Sequence, residues 1–115
     1  MSGDAYTPEA GDLIWTDFDP SRGREQGGRR PALVVSSAEF SGYTNLAIVC
    51  PITSRVRPFP TSVVLPADLP VSGEILTSHI RSIDLMARPV RYAGGAISAA
   101  TAQLVRAKLS SFVTI

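Results

Sequence analysis

The chain has one cysteine and one histidine among 115 residues, and each scarcity removes a class of function. Cys50 lies in the apolar run Leu46-Ala47-Ile48-Val49-Cys50 and has no partner for an intrachain disulfide, a thiolate cluster or a redox pair, so it reads as a small buried filler. With His79 as the sole histidine, a hydrolytic zinc or two-metal site is short of ligands, and no cofactor or metal is expected. Asp17 and Asp19 share a strand face and could hold one Mg²⁺ ion, but pairing with the arginines that follow fits better. A Ser-His-Asp triad through His79 lacks the Gly-x-Ser-x-Gly elbow. The run Gly23-Arg24-Glu25-Gln26-Gly27-Gly28 matches neither a P-loop nor a dinucleotide fingerprint, because no helix pattern follows it. No apolar stretch approaches the ~20 residues that span a bilayer, so no membrane partner is expected. Met1-Ser2-Gly3-Asp4-Ala5 offers neither a basic start nor an apolar core for a secretory signal, and the expected location is the cytoplasm.

What is present is arginine. The net charge is only +1, yet the first 20 residues hold five acids and no base, so the remainder carries +6 from eleven bases and five acids. Ten of those eleven bases are Arg, a residue suited to planar, two-pronged contacts with phosphate or carboxylate. An anionic partner follows from that distribution.

Residues 1–11 are polar and read as a flexible lead-in, with a single domain over 12–115. Short segments rich in β-branched and aromatic residues follow: Leu13 to Phe18, Ala32 to Ser36, Leu46 to Ile52, Ser62 to Leu65, Glu74 to Ile80, and about Asp84 to Tyr92. The pattern predicts an antiparallel sheet curled into a small barrel. A long loop from Asp19 to Pro31, with three glycines and four arginines, is a candidate functional loop. Ser98 caps an expected C-terminal helix whose apolar face is Leu104, Val105, Leu109 and Phe112.

Arg29 and Arg30 directly precede Pro31, which holds Arg30 extended at a strand lip. Thr53 and Ser54 end the strand that passes through Pro51-Ile52. If these strands are neighbours, a guanidinium and two hydroxyls surround one phosphate and stabilise the extra negative charge of a pentacoordinate state. The competing reading is an Arg30 bridged to Asp17 or Asp19 and a Thr53 that merely ends a strand. Arg55 and Arg57, in Arg55-Val56-Arg57-Pro58-Phe59-Pro60, could follow an RNA backbone while Phe59 stacks on a base. An ordinary solvated loop with Phe59 tucked inward is the alternative. Trp15 reads as core or dimer interface, and Arg88 and Arg91 as structural or solvated.

The segments Gly11-Asp12-Leu13-Ile14-Trp15-Thr16-Asp17-Phe18-Asp19-Pro20 and Gly23 through Arg29-Arg30-Pro31-Ala32-Leu33-Val34-Val35-Ser36 closely resemble the opening of the MazF/PemK family of toxin ribonucleases. Val49-Cys50-Pro51-Ile52-Thr53-Ser54 and Ile80-Arg81-Ser82-Ile83-Asp84-Leu85-Met86-Ala87-Arg88 resemble its central strand and closing signature, and the likeness runs in order over about residues 11 to 112. The resemblance implies a mainly β fold: an SH3-like barrel of the CcdB/PemK type with a C-terminal helix and one or two short helices. It implies a homodimer and a sequence-specific, metal-independent endoribonuclease acting on single-stranded RNA. In such enzymes a 2′-hydroxyl attacks the adjacent phosphorus, leaving a 2′,3′-cyclic phosphate and a 5′-hydroxyl. The implied partner is a MazE-like antitoxin whose acidic C-terminal tail covers the RNA groove, with DNA bound only through the antitoxin complex. Position by position, Arg30 and Thr53 become catalytic. Glu25, Gln26, Ser54 and Arg81 fall at or beside positions that face RNA in relatives, and Arg24, Arg29, Arg55, Arg57, Phe59, Ser78 and His79 complete the candidate RNA-binding set.

This sequence departs from the family at Ser78, where several members carry an acid, and at Arg24, where another has a histidine. Arg30 holds its proton and is no base, so the base is left open between His79 and Glu25. Two other readings stay in view: a same-fold toxin that poisons a gyrase by contact, and a relative that binds RNA or antitoxin without cutting. Gyrase inhibition with RNA intact would mark the first, and binding without cleavage the second. From the charge asymmetry, RNA affinity is expected to fall as salt rises despite the total of +1, read as the slope of log affinity against log salt. A flat slope would mean that no basic groove contributes to RNA binding.

Overall fold

Leu13, Leu33 and Cys50 stand opposite one another across three strands, and that row sets the architecture. The computed structural model describes residues 6–18 and 29–115. In it the three strands are β1 (Asp12–Asp17), β2 (Arg29–Val34) and β3 (Leu46–Thr53), all antiparallel neighbours. With β4 (Ser62–Val64), β5 (Glu74–Leu76), β6 (Arg81–Asp84) and β7 (Val90–Ala96) they form one sheet in the order β4-β5-β3-β2-β1-β7. The sixth strand, β6, also pairs with β3. Because β2 occupies one edge of β3, β6 and β5 share the other: β6 along Leu46–Val49, β5 along Ile52 and Thr53.

Both faces of the central strands are covered, which is why their sequences read as nearly continuous apolar runs. Leu13, Leu33, Cys50, Ile52, Ile75 and Val105 fill one side; Ile14, Ala32, Val34, Ala47, Val49 and Ile83 fill the other. Burial pushes the Cys50 thiol up to about 12, so it stays a neutral core side chain. Ahead of β1, the Tyr6 hydroxyl donates to Asp12 at 2.5 Å and its ring lies 5.5 Å from that of Tyr92.

The mainly β expectation holds, together with its helices. Ser37 caps α1 (Ala38–Thr44), accepting from the Phe40 amide at 3.1 Å, and Asn45 ends it with φ of 61°. Ser98 caps α2 (Ala99–Ser110) through the Thr101 amide, as read from the sequence. Its buried stripe is Thr101, Val105 and the partly buried Leu109, an i, i+4 series. Leu104 sits ~100° around the axis from Val105 and is 54% exposed, so the expected face is rotated. Two expected strands also divide. Glu74 to Ile80 contains only β5, after which Thr77–His79 forms a 3₁₀ turn whose Thr77 hydroxyl donates to the Thr61 carbonyl. Asp84 to Tyr92 breaks at a turn in which Asp84 accepts from the amides of Met86, Ala87 and Arg88, so β7 starts after Pro89.

Gly73 fixes where β5 enters. Its φ is +131°, and a Cβ there would stand 2.2 Å from the Thr53 carbonyl oxygen. Gly73→Ala is therefore expected to cost at least ~1 kcal/mol and to lower Tm by about 5 °C or more, measured by thermal unfolding. An unchanged Tm would mean that β5 can retreat from β3 without penalty.

Candidate functional site

The register that builds the sheet also assembles a polar row. Thr16 faces Arg30 across β1 and β2, and Thr53 faces Glu74 across β3 and β5. Ala32 faces Pro51 at the last paired position of β2 and β3, and Arg30 and Thr53 each lie two residues beyond it on neighbouring strands. Directly opposed residues share a face with Cβ atoms about 5 Å apart, so Thr16 stands beside Arg30 and Thr53 beside Glu74. Arg30 is exposed and Thr16 buried. Asp17 faces Arg29, not Arg30, which answers the reading in which Arg30 bridges to that acid.

Arg29, Arg30, Thr53 and Ser54 line one open concavity of about 460 Å³. The sequence placed these four together at strand ends, and the structure brings them together. Trp15, Pro31, Ile52 and the segment Pro70–Ser72 complete its walls. Sequence reasoning left Trp15 to core or interface and passed over Pro70–Ser72. The signal for that segment was the Pro70-Val71-Ser72-Gly73 turn chemistry just ahead of a strand. Close approach holds it: a Cβ on Gly95 of β7 would come within 2.8 Å of the Pro70 ring.

The Thr53 hydroxyl accepts from the Arg55 amide at 3.1 Å, which leaves its own proton available to a further acceptor such as a phosphate oxygen. Beyond it, Arg55, Arg57 and Phe59 lie exposed on the segment leaving the concavity. Phe59 is 62% exposed, so its ring is not tucked against the sheet. Ser78, His79 and Arg81 are exposed and are not among the residues lining this concavity. The Arg81 guanidinium lies 5.0 Å over the Phe18 ring. Arg88 donates to the Asp17 carbonyl at 2.6 Å and is structural, as expected. Asp19, Arg24, Glu25 and Gln26 lie outside the described residues. Among the described residues no three His, Cys, Asp or Glu side chains converge as metal ligands, and no helix is long and apolar enough to cross a membrane.

Glu74 was not singled out by sequence. It is only 1% exposed; one carboxylate oxygen accepts from the Arg57 amide at 2.7 Å and the other from the Ser62 hydroxyl. The Ser62 hydroxyl and the Arg57 amide hold its carboxyl below the usual carboxylate range against the opposing effect of burial.

A family model described as the PemK-like, MazF-like toxin of type II toxin–antitoxin systems matches residues 9–113. The endoribonuclease toxin MazF of Escherichia coli strain K12 is 35% identical over 108 residues, covering 94% of this chain and 96% of that one. Among solved structures, MazF from Deinococcus radiodurans superposes with a TM-score of 0.85 at 45% identity, over 96% of this chain and 100% of that one. A MazE–MazF complex from the same organism gives a TM-score of 0.84 at 41% identity, over 96% and 99% of the two chains.

A carboxyl depressed by folding contributes stability that is present above its unfolded pKa, near 4.5, and lost as pH falls through the lower folded value. Wild type is therefore expected to gain stability relative to Glu74→Gln as pH rises through the window below 4.5, and to hold that difference at neutral pH. Denaturant midpoints of the two proteins across that range measure it; a pH-independent difference would contradict the depressed carboxyl.

Proposed function

Because the chain belongs to the family of PemK-like, MazF-like toxins of type II toxin–antitoxin systems, we propose that its RNA chemistry takes place at the Arg30–Thr53 pair. The protein is an endoribonuclease toxin, and its partners are an RNA substrate and a cognate antitoxin. The single observation that carries the site is that an arginine and a threonine at the ends of neighbouring strands line one concavity.

The reaction is a transesterification. A ribose 2′-oxygen bonds to the adjacent phosphorus as the bond to the 5′-oxygen breaks, giving a 2′,3′-cyclic phosphate and a 5′-hydroxyl. The 2′-hydroxyl loses a proton and the departing 5′-oxygen gains one. Negative charge grows on the non-bridging phosphate oxygens, and a fixed Arg30 beside the Thr53 hydroxyl stabilises it more than in the ground state. Arg30 contributes charge because guanidinium keeps its proton; Thr53 orients the phosphate or donates to it. His79 is not among the residues lining the concavity and Glu25 lies outside the described residues, so the described site supplies charge and orientation while the proton acceptor is unassigned. The strand passing Arg30 continues over Arg55, Arg57 and Phe59, which contact phosphates and a base. We place the protein in the cytoplasm as a homodimer, with the acidic tail of a MazE-like antitoxin occupying the same groove.

Purified protein incubated with a long single-stranded RNA in EDTA is expected to give discrete cuts bearing cyclic phosphate and 5′-hydroxyl ends. Arg30→Ala and Thr53→Ala, while still folded, are expected to lose about 10²–10³-fold in rate, the scale of a removed oxyanion donor. A deoxyribose on the 5′ side of the cut should block it. Loss of cutting in EDTA would end the metal-free mechanism, and cutting beside deoxyribose would make water the nucleophile.

A further inference from the structure

The buried carboxylate of Glu74 has no use in the chemistry just described, and its position looks adverse. It lies directly across from Thr53, in the row where a phosphate is to bind. An anion there opposes phosphate binding, and a carboxylate 1% exposed carries a desolvation cost that only good donors offset. Its donors show what it does. The Arg57 amide and the Ser62 hydroxyl both point at it, and the Phe59 amide adds to the anion's stabilisation. Ser62 in turn accepts from the Phe59 amide at 3.2 Å and stands 3.1 Å from the Phe59 carbonyl oxygen. The segment from Ser54 to Thr61 is tied at further points: Arg55 to Thr53, the Pro60 carbonyl to the Lys108 ammonium at 2.7 Å, and the Thr61 carbonyl to Thr77. The Glu74 and Ser62 bonds fix the stretch that carries both Arg57 and Phe59, whose side chains stay exposed.

We propose that Glu74 is a positioning residue for RNA: through the Arg57 amide and Ser62 it holds Arg57 and Phe59 in the pose that grips the strand beside the reacting phosphate. The proposal rests on the RNA reading of the Arg30–Thr53 site. It assigns Glu74 to the binding of the flanking nucleotides and not to the chemical step, because the carboxylate is buried and its oxygens are already engaged. A glutamine at this position can keep the arrangement, its carbonyl accepting from Arg57 and its amide donating to Ser62, without the opposing charge. An alanine cannot.

The experiment compares Glu74→Ala, Glu74→Gln and Ser62→Ala with wild type on a short RNA carrying one cut site. Glu74→Ala is expected to raise KM about tenfold, the scale of one lost hydrogen bond to a charged group, with kcat unchanged. Glu74→Gln should bind at least as well as wild type. Limited trypsin digestion reads the same device without RNA: cutting after Arg55 should quicken in Glu74→Ala and return to the wild-type rate in Glu74→Gln. If Glu74→Ala does not fold, Ser62→Ala carries the test and should show the same KM and trypsin effects. A fall in kcat with KM unchanged, a glutamine variant as impaired as alanine, or equal trypsin rates in all variants would overturn the proposal. If wild type cuts no RNA, the site reading fails, and the trypsin rates still decide whether Glu74 positions the segment.

Discussion

Strand β3 is the constraint on which the rest of the molecule depends. A strand has two edges, yet Leu46–Thr53 has three partners, because β6 and β5 divide one edge between its first and last halves. That division needs a sheet that curls, with Pro51 standing between the two pairings and giving up no ladder amide. It also decides what can be catalytic. The first half of β3 is enclosed, with Ala47 and Val49 wholly buried, while Thr53 at its far end is only partly covered. A hydroxyl placed there is on a strand end held by β5 and still open to a ligand. Arg30 reaches it only because β2 runs antiparallel in the register that pairs Ala32 with Pro51. A slip of one residue would turn Arg30 to the other face.

What the sequence made legible follows the same logic. Local chemistry was readable: Ser98 as a helix cap, Pro31 keeping Arg30 extended, and the apolar runs of β1 to β3. The pair Arg30 and Thr53 was visible because both flank proline-marked strand ends. Features set by distant contacts were not. Thr77 has the β-branched character of a strand residue, but its hydroxyl is committed to Thr61, and the chain turns there instead of continuing β5. The turn after Asp84 was hidden because its apolar Leu85 and Met86 resemble strand residues, while Asp84 gathers three amides that end the ladder. Pro70–Ser72 became part of the site only because Gly73 and Gly95 let two strands approach closer than a Cβ allows. Glu74 looked like the polar first residue of a strand, and only its bonds from the Arg57 amide and the Ser62 hydroxyl show why it is there.

The near-neutral charge of +1 conceals a division of labour between acids and arginines. Among the described residues, four acids are spent on the chain's own donors. Asp12 accepts from the Tyr6 hydroxyl and the Glu9 amide, Glu9 from the Ala38 amide, Asp84 from Met86, and Glu74 from Arg57. Carboxylates are well suited to this, since each can accept several bonds and so can finish turns and loop ends. The arginines are used the other way. Arg29, Arg30, Arg55 and Arg57 are exposed, two lining the concavity and two on the segment that leaves it. Negative charge is thus drawn into the scaffold, and positive charge is concentrated where a polyanion would lie. Total charge governs little in such a molecule; a ligand meets the local field of the groove, which low-dielectric walls focus. Under the proposed function, the same arrangement suits one surface to two partners. An RNA backbone and an acidic peptide tail both present anions to the same guanidinium groups, so an antitoxin tail can occupy the site without imitating the shape of a nucleotide.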